Sequence, residues 1–334
     1  MDENEFAPGY FMRIPSFLLI AALALSAFPA KADLAGPVRV HSLRITILST
    51  MLADGGELGE WGFAALVEAD GRRILFDTGA HPDVVLKNAK TLGVDLTTVP
   101  EVVLSHNHSD HVGGLLTLRA WVLARAPAAL SRVHVAEGIF YPRTTFNPGI
   151  EDNPALMLKS DYEKSGGIFI VHDGPAQLYP GVWLTGLVPR KYPERNWSGS
   201  GRVKTAAGWV EDNVPEDQAI VFDTDRGLVV LFGCGHAGII NTLEYARSTV
   251  RQARIHAIVG GVHLFAAFDE TLKWTADKLA AFGVDNFLGA HCTGIEPVYR
   301  FRSALGLDRR HAVVGAVGAY FDLAGGINPR TIAR

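Results

Sequence analysis

The segment SHNHSDHVGG, residues 105–114, restricts the possible folds of this chain more than any other part of the sequence. It contains three of the 12 histidines and one aspartate, in the order His106, His108, Asp110 and His111. Imidazole and carboxylate groups at this density are typical of a site for zinc or a similar divalent metal. Four such ligands are too many for one ordinary site and too few for a pair of metals. The fold must therefore bring further ligands to this segment from distant parts of the chain.

The flanking residues indicate how the segment is presented. The apolar run EVVLS, residues 101–105, predicts a strand before it, and the residues after it have helical spacing. Alternate residues of an extended chain project to the same side, so His106 and His108 face together. The turn into the helix can direct Asp110 and His111 to a second point nearby. The glycine pair that ends the segment would allow another stretch of backbone to approach closely.

Three later histidines follow apolar strands and lie beside glycine or other small residues. They are His236 in GCGHAG, His263 in GGVHL and His291 in AHCTG. Strand ends are where ligands would be delivered to a shared site, so we predict that His236 and His291 complete the metal site. A structural role is the alternative for each, because an isolated histidine is more often structural than functional.

Apolar strands and amphipathic helices alternate in both halves of the chain, with two hairpins embedded in the pattern. Their turns are predicted at residues 70–71 and 225–227, and a final strand is predicted over residues 311–323. This order predicts an α/β fold in which two mixed sheets pack face to face with helices outside. We expect it to form one domain over residues 33–334.

Residues 141–215 depart from this pattern, because they are rich in proline, glycine, asparagine and charge. Long loops of this kind often act as lids or substrate-binding loops. Basic and aromatic side chains in this insertion could form a rim around a site: Arg143, Arg190, Lys191, Tyr192, Arg195 and Trp197. We predict that Arg190, Arg195 and Trp197 contact an anionic substrate, such as a phosphate ester. An ordinary solvated loop is the alternative.

The N-terminal residues 1–32 resemble an extension followed by a secretory signal peptide. From Met12 the chain has a basic residue, an apolar run and a small-x-small pattern that ends at Ala32. The apolar run is short for a membrane span. We expect cleavage after about Ala32, a periplasmic or secreted product and no stable membrane span afterwards. An uncleaved N-terminal anchor is the alternative.

Composition excludes some classes of protein. The chain of 334 residues is 48% hydrophobic and its net charge is −4, which gives no basic surface for nucleic acid. A small-molecule substrate is expected instead, and a homo-oligomer is compatible with the sequence. The only two cysteines, Cys234 and Cys292, do not make a disulfide scaffold. They could be buried thiols, a metal ligand or, after export, one disulfide bridge.

Several motifs indicate a family. The segment SHNHSDHVGG resembles the HxHxDH signature of the metallo-β-lactamase superfamily, and LFDTG at 75–79 resembles the Asp-Thr-Gly turn that precedes it in many members. Further stretches are similar to the 7,8-dihydropterin-6-yl-methyl-4-(β-D-ribofuranosyl)aminobenzene-5′-phosphate synthase-like subgroup: GFAALVE, DQAIVF, LVVLFGCGHAGIIN, GGVHL and GAHCTG. The resemblance runs from about residue 43 to residue 320.

The resemblance implies an αββα sandwich with one or two divalent metal ions, most often zinc, with manganese or iron as alternatives. It implies two ligand sets: His106, His108 and His236 for a first metal, and Asp110, His111 and His291 for a second. A water between the metals would become the nucleophile, which Asp110 can orient. His263 is the candidate for contacting substrate or moving a proton. Asp77 is expected to hydrogen-bond a ligand.

The sequence departs from the subgroup at three positions. Gly235 stands where the subgroup has serine, and Trp61 stands where a histidine is common. Many two-metal relatives have a bridging aspartate where this chain has Cys234. This leaves open whether one or two metals bind and whether Cys234 is a ligand.

These observations predict an exported metal-dependent hydrolase, in which a metal-activated hydroxide attacks a small ester, lactone or phosphoester. One alternative is the pterin-linked synthase chemistry of the subgroup, which is a transferase reaction and would be expected in the cytosol. A second alternative is a metal-containing binding or sensor protein without turnover.

Overall fold

The computed structural model describes residues 38–144, 150–197 and 199–333. The predicted signal peptide at 1–32 lies outside the described residues. The strands assigned in the described part are β1 (Leu43–Ser49), β2 (Ala64–Ala69), β3 (Arg72–Phe76), β4 (Glu101–Val103), β5 (Arg132–Ala136), β6 (Arg143–Thr144), β7 (Ile168–His172), β8 (Ala176–Tyr179), β9 (Val182–Leu184), β10 (Arg202–Thr205), β11 (Gly208–Glu211), β12 (Ile220–Thr224), β13 (Gly227–Phe232), β14 (Ile255–Gly260), β15 (Asn286–Gly289), β16 (Ala312–Val314), β17 (Tyr320–Asp322) and β18 (Gly326–Asn328). The helices are α1 (Val84–Thr91), α2 (Ser109–Val112), α3 (Leu115–Leu123), α4 (Pro154–Lys164), α5 (Ile239–Thr249), α6 (Asp269–Phe282) and α7 (Ile295–Ala304).

Two large mixed sheets form the centre of the fold. The first has eight strands in the order β18-β17-β1-β2-β3-β4-β5-β7, and the second has seven in the order β16-β15-β14-β13-β12-β9-β8. In each sheet, antiparallel hairpin strands give way to parallel ones: β3, β4, β5 and β7 in the first, and β13 to β16 in the second. The predicted hairpins β2–β3 and β12–β13 are confirmed, with two-residue turns at 70–71 and 225–226.

Three apolar layers explain why the sheets stack. The inner faces of both sheets share one core, in which Ile47 and Phe76 of the first sheet pack with Phe222 and Leu231 of the second. The outer face of the first sheet packs against α1 to α4. The outer face of the second packs against α5, α6 and α7. Strands buried on both faces read as continuous apolar runs, as in LVVLF of β13. The predicted αββα sandwich is confirmed.

None of the helices in the described residues is long and apolar enough to cross a membrane.

The prediction of one final strand over residues 311–323 is wrong. The segment forms β16, which pairs with β15 in the second sheet, and β17, which pairs with β1 in the first. Gly315 lies between them, where a Cβ atom would be 2.7 Å from Ile47 Cδ1, so the chain can pass closely over the inner core at that point. Apolar alternation alone does not distinguish a single strand from two strands in different sheets.

The predicted loop-rich insertion at 141–215 contains more regular structure than expected. Among its described residues are α4 and the strands β6 to β11, of which β6, β10 and β11 form a separate three-stranded sheet. Helix α4 begins after Asn153, whose side chain accepts a hydrogen bond from Leu156 N, with proline at the first helical position. The start signal was therefore present in the sequence.

Glu101 at the start of β4 connects both sheets. Its carboxylate pairs with Arg132 and with His134 Nε2 (3.0 Å) of β5, and it accepts a hydrogen bond from the Tyr179 hydroxyl of β8 (3.0 Å). Partial burial raises the pKa of this carboxyl, but the bonds from His134 and Arg132 outweigh burial and lower the pKa to about 2. Because β4 leads directly into the histidine-rich segment, this connection also anchors the strand that presents it.

We expect Glu101→Gln to reduce stability at neutral pH more than at acid pH. The folded-state pKa lies below its ordinary value of 4.5, so the stabilisation is present above that value and is lost as the pH falls towards 2. Denaturant unfolding of the metal-free wild type and variant at pH 7 and pH 3 measures the difference. A difference that stays constant between the two pH values would contradict the assignment.

Candidate metal centre

The predicted ligands all follow strands that run in parallel within their sheets. The histidine-rich segment follows β4, and Asp77 follows β3. His236, His263 and His291 follow β13, β14 and β15 of the other sheet. In open α/β sheets, sites form beyond the carboxyl ends of the strands. The two sheets therefore deliver their polar residues to one place.

His106, His108 and His236 form the first group. Their ligand atoms lie within 4.8 Å of one another, and all three are largely buried. Ser105 Oγ contacts His106 Nδ1 at 2.9 Å, and the backbone carbonyl of Asn196 accepts a hydrogen bond from His236 Nδ1. The Nε2 atoms of His106 and His236 are buried without a hydrogen-bond partner. One edge of each ring is thus held by the protein, while the other is free to bind a metal.

Burial sets the protonation state of this first group. It lowers the pKa of His106 and of His236 well below the ordinary value, and neighbouring imidazoles lower both further. It also lowers the pKa of His108 to about 4. The three imidazoles are therefore neutral at pH 7, which is the form that binds metals.

Asp110, His111 and His291 form the second group, again with ligand atoms within 4.8 Å of one another. Asp110 Oδ2 lies 3.3 Å from His291 Nε2, and Asp77 Oδ2 lies 2.7 Å from His111 Nδ1. Burial lowers the pKa of both imidazoles, but the carboxylates outweigh it for His111, and Cys292 and Asp110 raise the pKa of His291 to about 10. Binding a metal here must therefore release protons.

The two cysteines lie between these groups as free thiols. Cys234 Sγ is 3.1 Å from His111 Nε2 and 3.1 Å from Cys292 Sγ. Cys234 shares one potential ligand group with His106 and His111, and another with His291 and Cys292. Burial raises the pKa of the Cys234 thiol. The structure places Cys234 where it can reach either metal, and both cysteines remain candidates for ligand or thiol roles.

Asp77 holds Ser105 and His111 in place through contacts of its carboxylate. Its Oδ1 accepts a hydrogen bond from Ser105 N at 2.7 Å, and its Oδ2 accepts one from Ser105 Oγ at 2.7 Å as well as contacting His111. Gly233 crosses directly over this group, and a Cβ atom there would be 2.1 Å from Ser105 Oγ. The predicted role of Asp77, hydrogen bonding to a ligand, matches these contacts.

The glycine pair that ends the histidine-rich segment packs closely against another stretch of backbone, as the sequence predicted. A Cβ atom at Gly113 would lie 2.0 Å from Ala80 O, and one at Gly114 would lie 2.3 Å from Thr78 O. Thr78 N in turn donates to His111 O. The turn after β3 therefore packs directly against the start of the segment that carries the ligands.

His263 lies beside the first group. Its ring centroid is 4.6 Å from that of His236, and it shares a potential ligand group with Cys234 and His236. Its Nδ1 is buried without a hydrogen-bond partner, and its backbone N donates to Cys292 Sγ. The structure brings His263 into the centre, as predicted, and this position is compatible with proton transfer or with metal binding.

Only some of the basic and aromatic residues that were predicted to form a rim lie at the site. Arg190 donates to the backbone carbonyls of His236, Asn213 and Val214, and thereby supports the loop that carries His236. Arg143 is buried in ion pairs with Asp212 and Glu216.

Arg195 and Trp197 both contact Glu211, and Trp197 also lies within 5.3 Å of the guanidinium carbon of Arg195. These two residues line a cleft that reaches His263. A contact with substrate remains a prediction for Arg195 and Trp197, whereas the guanidinium of Arg190 is already engaged by the backbone.

Two clefts flank the centre. The polar cleft, of about 450 Å³, is lined by residues that include Trp61, His108, Asp110 and Arg143. The aromatic cleft, of about 710 Å³, is lined by residues 193–197 and 263–268 and by Glu270, Thr271, Trp274 and Thr275 of α6. Trp61 and Phe265 pack edge to face between them, with ring centroids 5.3 Å apart. Both ends of the centre are therefore open to small molecules.

Sequence reasoning missed several residues that hold the site. Asn196 accepts from His236, and Asp217 accepts a hydrogen bond from Ala237 N at 2.9 Å, beside the same histidine. Glu216 is fully buried and accepts from Asn107 N. Burial raises the pKa of Glu216 to about 7 and that of Asp217 to about 6. The available signal for Glu216 and Asp217 was that two acidic residues stand together shortly before the apolar run of β12.

This chain belongs to the metallo-β-lactamase superfamily, whose family model matches residues 62–247. A 7,8-dihydropterin-6-methyl-4-(β-D-ribofuranosyl)-aminobenzene-5′-phosphate synthase from Methanocaldococcus jannaschii is 30% identical over 247 residues, which cover 70% of this chain and 80% of that protein. The sequence-based recognition of the superfamily and of this subgroup is confirmed.

Two solved structures are similar to this chain in fold. Tm1679, a metal-dependent hydrolase of the β-lactamase superfamily, is 27% identical with a TM-score of 0.63, over 79% of this chain and 93% of that one. The metallo-β-lactamase fold protein YhfI from Bacillus subtilis is 12% identical with a TM-score of 0.53, over 84% of this chain and 99% of that one, and this similarity concerns the fold alone. Together with the buried histidine and cysteine groups, these findings define a metal-dependent enzyme of the superfamily.

We expect Asp77→Asn to lower metal affinity about 10- to 100-fold, because the amide cannot accept all three hydrogen bonds that the carboxylate accepts from Ser105 and His111. Competition with a chromophoric chelator measures this affinity. Asp223→Asn is the matched control, since Asp223 lies on β12, is also buried and pairs with Arg251. Equal metal affinity in the two variants would show that Asp77 does not position a ligand.

Proposed function

We propose that this protein is an exported metal-dependent hydrolase that acts on a small ester, lactone or phosphoester. The observation that carries the proposal is the pair of adjacent ligand groups, one neutral and one held by carboxylates, at the junction of two open clefts. Zinc is the favoured ion because imidazole, carboxylate and thiolate donors suit it, with manganese or iron as alternatives. A divalent metal held by His106, His108 and His236, or by Asp110, His111 and His291, would supply hydroxide at neutral pH.

Asp110 and His263 would have the remaining catalytic roles. The Asp110 carboxylate, which lines the polar cleft beside His108, would accept a hydrogen bond from the nucleophile and orient it. Burial raises the pKa of Asp110, but His111, His291 and His108 outweigh burial and lower it, so the carboxylate is ionised at neutral pH and can act as that acceptor. His263, which lines the aromatic cleft beside the first ligand group, would move a proton to the leaving group.

A transferase of the synthase type is the second candidate, and the identity of 30% with the archaeal synthase favours it. The signal-like N-terminus disfavours it, because a biosynthetic condensation belongs in the cytosol. Formation of the pterin–aminobenzene product from its two precursors would support the synthase. Hydrolysis of chromogenic esters, lactones or phosphodiesters without such product would support the hydrolase.

We expect His108→Ala to abolish hydrolysis and to reduce the metal content of the purified protein, because it removes a ligand of the first group. Elemental analysis gives the metal stoichiometry, and a panel of ester, lactone, thioester, phosphodiester and β-lactam substrates gives the activity. His41→Ala is the control, since the side chain of this histidine is 72% exposed and pairs with Asp225 rather than with a ligand group.

The outcomes of this panel separate the candidates. A His108→Ala protein with unchanged metal content and rate would refute the ligand assignment. Wild-type protein that holds metal but turns over nothing with zinc, manganese or iron would favour a binding or sensor protein. Wild-type protein without stoichiometric metal would remove the basis of the hydrolase.

We expect the mature protein to begin near Asp33 and to occur in the periplasm or the medium, because the sequence before it has the form of a signal peptide. N-terminal sequencing of protein from separated cell fractions measures this. An intact Met1 or Met12 in the cytosolic fraction would contradict export and strengthen the synthase alternative.

A further inference from the structure

We propose that the aromatic cleft binds a neutral aromatic ring of the substrate, so that the substrate is an uncharged ester or lactone that carries an aryl group. This inference rests on the proposed hydrolase function and names the substrate class of that same site. It is carried by the shape and chemistry of the cleft walls and by their continuity with the metal centre.

The cleft begins at the metal centre. His263 forms its inner end, and the His263 ring lies beside His236 of the first ligand group. On the other side of the centre, His108 and Asp110 line the polar cleft. A substrate with its reacting carbonyl at the ligand groups would therefore extend directly from the centre into the aromatic cleft.

Its walls are aromatic and already held in place. Phe265 packs edge to face with Trp61 at 5.3 Å and with His263 at 5.4 Å, and half of its surface remains exposed. Trp197 and Trp274 contribute further ring surface to the same cleft, and Phe268 is 79% exposed at its rim. A flat ring gains stacking and edge-to-face contacts against such walls beyond its burial, which a saturated ring of equal size does not.

The charges of the cleft disfavour an anionic group. The ionisable side chains among its described lining residues, besides His263, are Glu194, Arg195 and Glu270, and Arg195 is paired with Glu211. In the polar cleft, Arg143 forms ion pairs with Asp212 and Glu216, and Asp110 adds negative charge. The arginines that line the two clefts are therefore already paired with carboxylates, which favours the ester or lactone over the phosphoester.

Binding of non-hydrolysable amides tests the recognition directly. With metal-loaded protein, calorimetric titration compares 2-naphthylacetamide with decahydro-2-naphthylacetamide, which has the same carbon skeleton without the flat ring. We expect the aromatic amide to bind about threefold to tenfold more tightly, in proportion to the aromatic contacts. A 6-carboxy derivative of the naphthyl compound should bind more weakly than the neutral parent.

Variants of the cleft residues test which side chains produce the preference for the aromatic amide. Phe268→Ala should remove most of the aromatic preference and is expected to fold normally, because the side chain is largely exposed and makes no capping hydrogen bond. Phe265→Ala should act in the same direction. Tyr299→Ala is the control, since Tyr299 is an exposed aromatic residue on α7 outside the lining of the cleft.

The outcomes of this test are independent of the test of hydrolysis. Equal binding of the two amides, tighter binding of the carboxylated compound, or a preference that survives in both phenylalanine variants would overturn the inference. Hydrolysis of methyl acetate and methyl 2-naphthylacetate, measured with metal content, tests the proposed function itself. Aromatic preference in binding without turnover of these esters or of any substrate in the hydrolysis panel would uphold the recognition site and refute the hydrolase, whereas turnover without preference would do the reverse.

Discussion

The structure depends on burying many imidazole rings together without giving each nitrogen a partner in the protein. His106 and His236 each keep one ring nitrogen buried without a hydrogen-bond partner, and both ring nitrogens of His291 are buried without one. A buried polar group without a partner costs about 1–3 kcal/mol, so such an arrangement persists only when surrounding contacts enforce it. Those contacts are Ser105 for His106 and the carbonyl of Asn196 for His236. The polypeptide therefore positions one edge of these rings and leaves the other for a ligand.

The two ligand groups differ in how they respond to a metal. The first consists of neutral imidazoles, so it binds a cation without losing protons. The second keeps a proton on His111 through Asp77 and Asp110 and one on His291 through Cys292 and Asp110, and a cation must replace these protons. Cys234 lies at the boundary between the groups, near His111 and Cys292. A sulfur donor at that boundary would make the pair of groups more selective for soft metals than a carboxylate would.

The ligands could be predicted from the sequence because strand ends have local signals. His236 and His291 directly follow apolar runs, and parallel strands carry such residues to a common edge. The residues that orient the ligands could not be predicted in the same way. Asn196 lies in the connection between β9 and β10, about forty residues before the histidine it holds, and Arg190 acts through backbone carbonyls that only the folded loop presents. Such contacts depend on loop conformation, which hydrophobic periodicity does not encode. The split of residues 311–323 between two sheets escaped prediction for the same reason.

That split has a consequence for how the chain acquires its structure. β1, at the start of the described chain, receives β2 as one neighbour and β17 as the other, nearly 280 residues later. The first sheet is therefore completed only after almost the whole polypeptide has left the ribosome. Folds that rely on such distant pairings form slowly. A newly made chain would therefore lack its completed first sheet until β17 has been synthesised and has paired with β1.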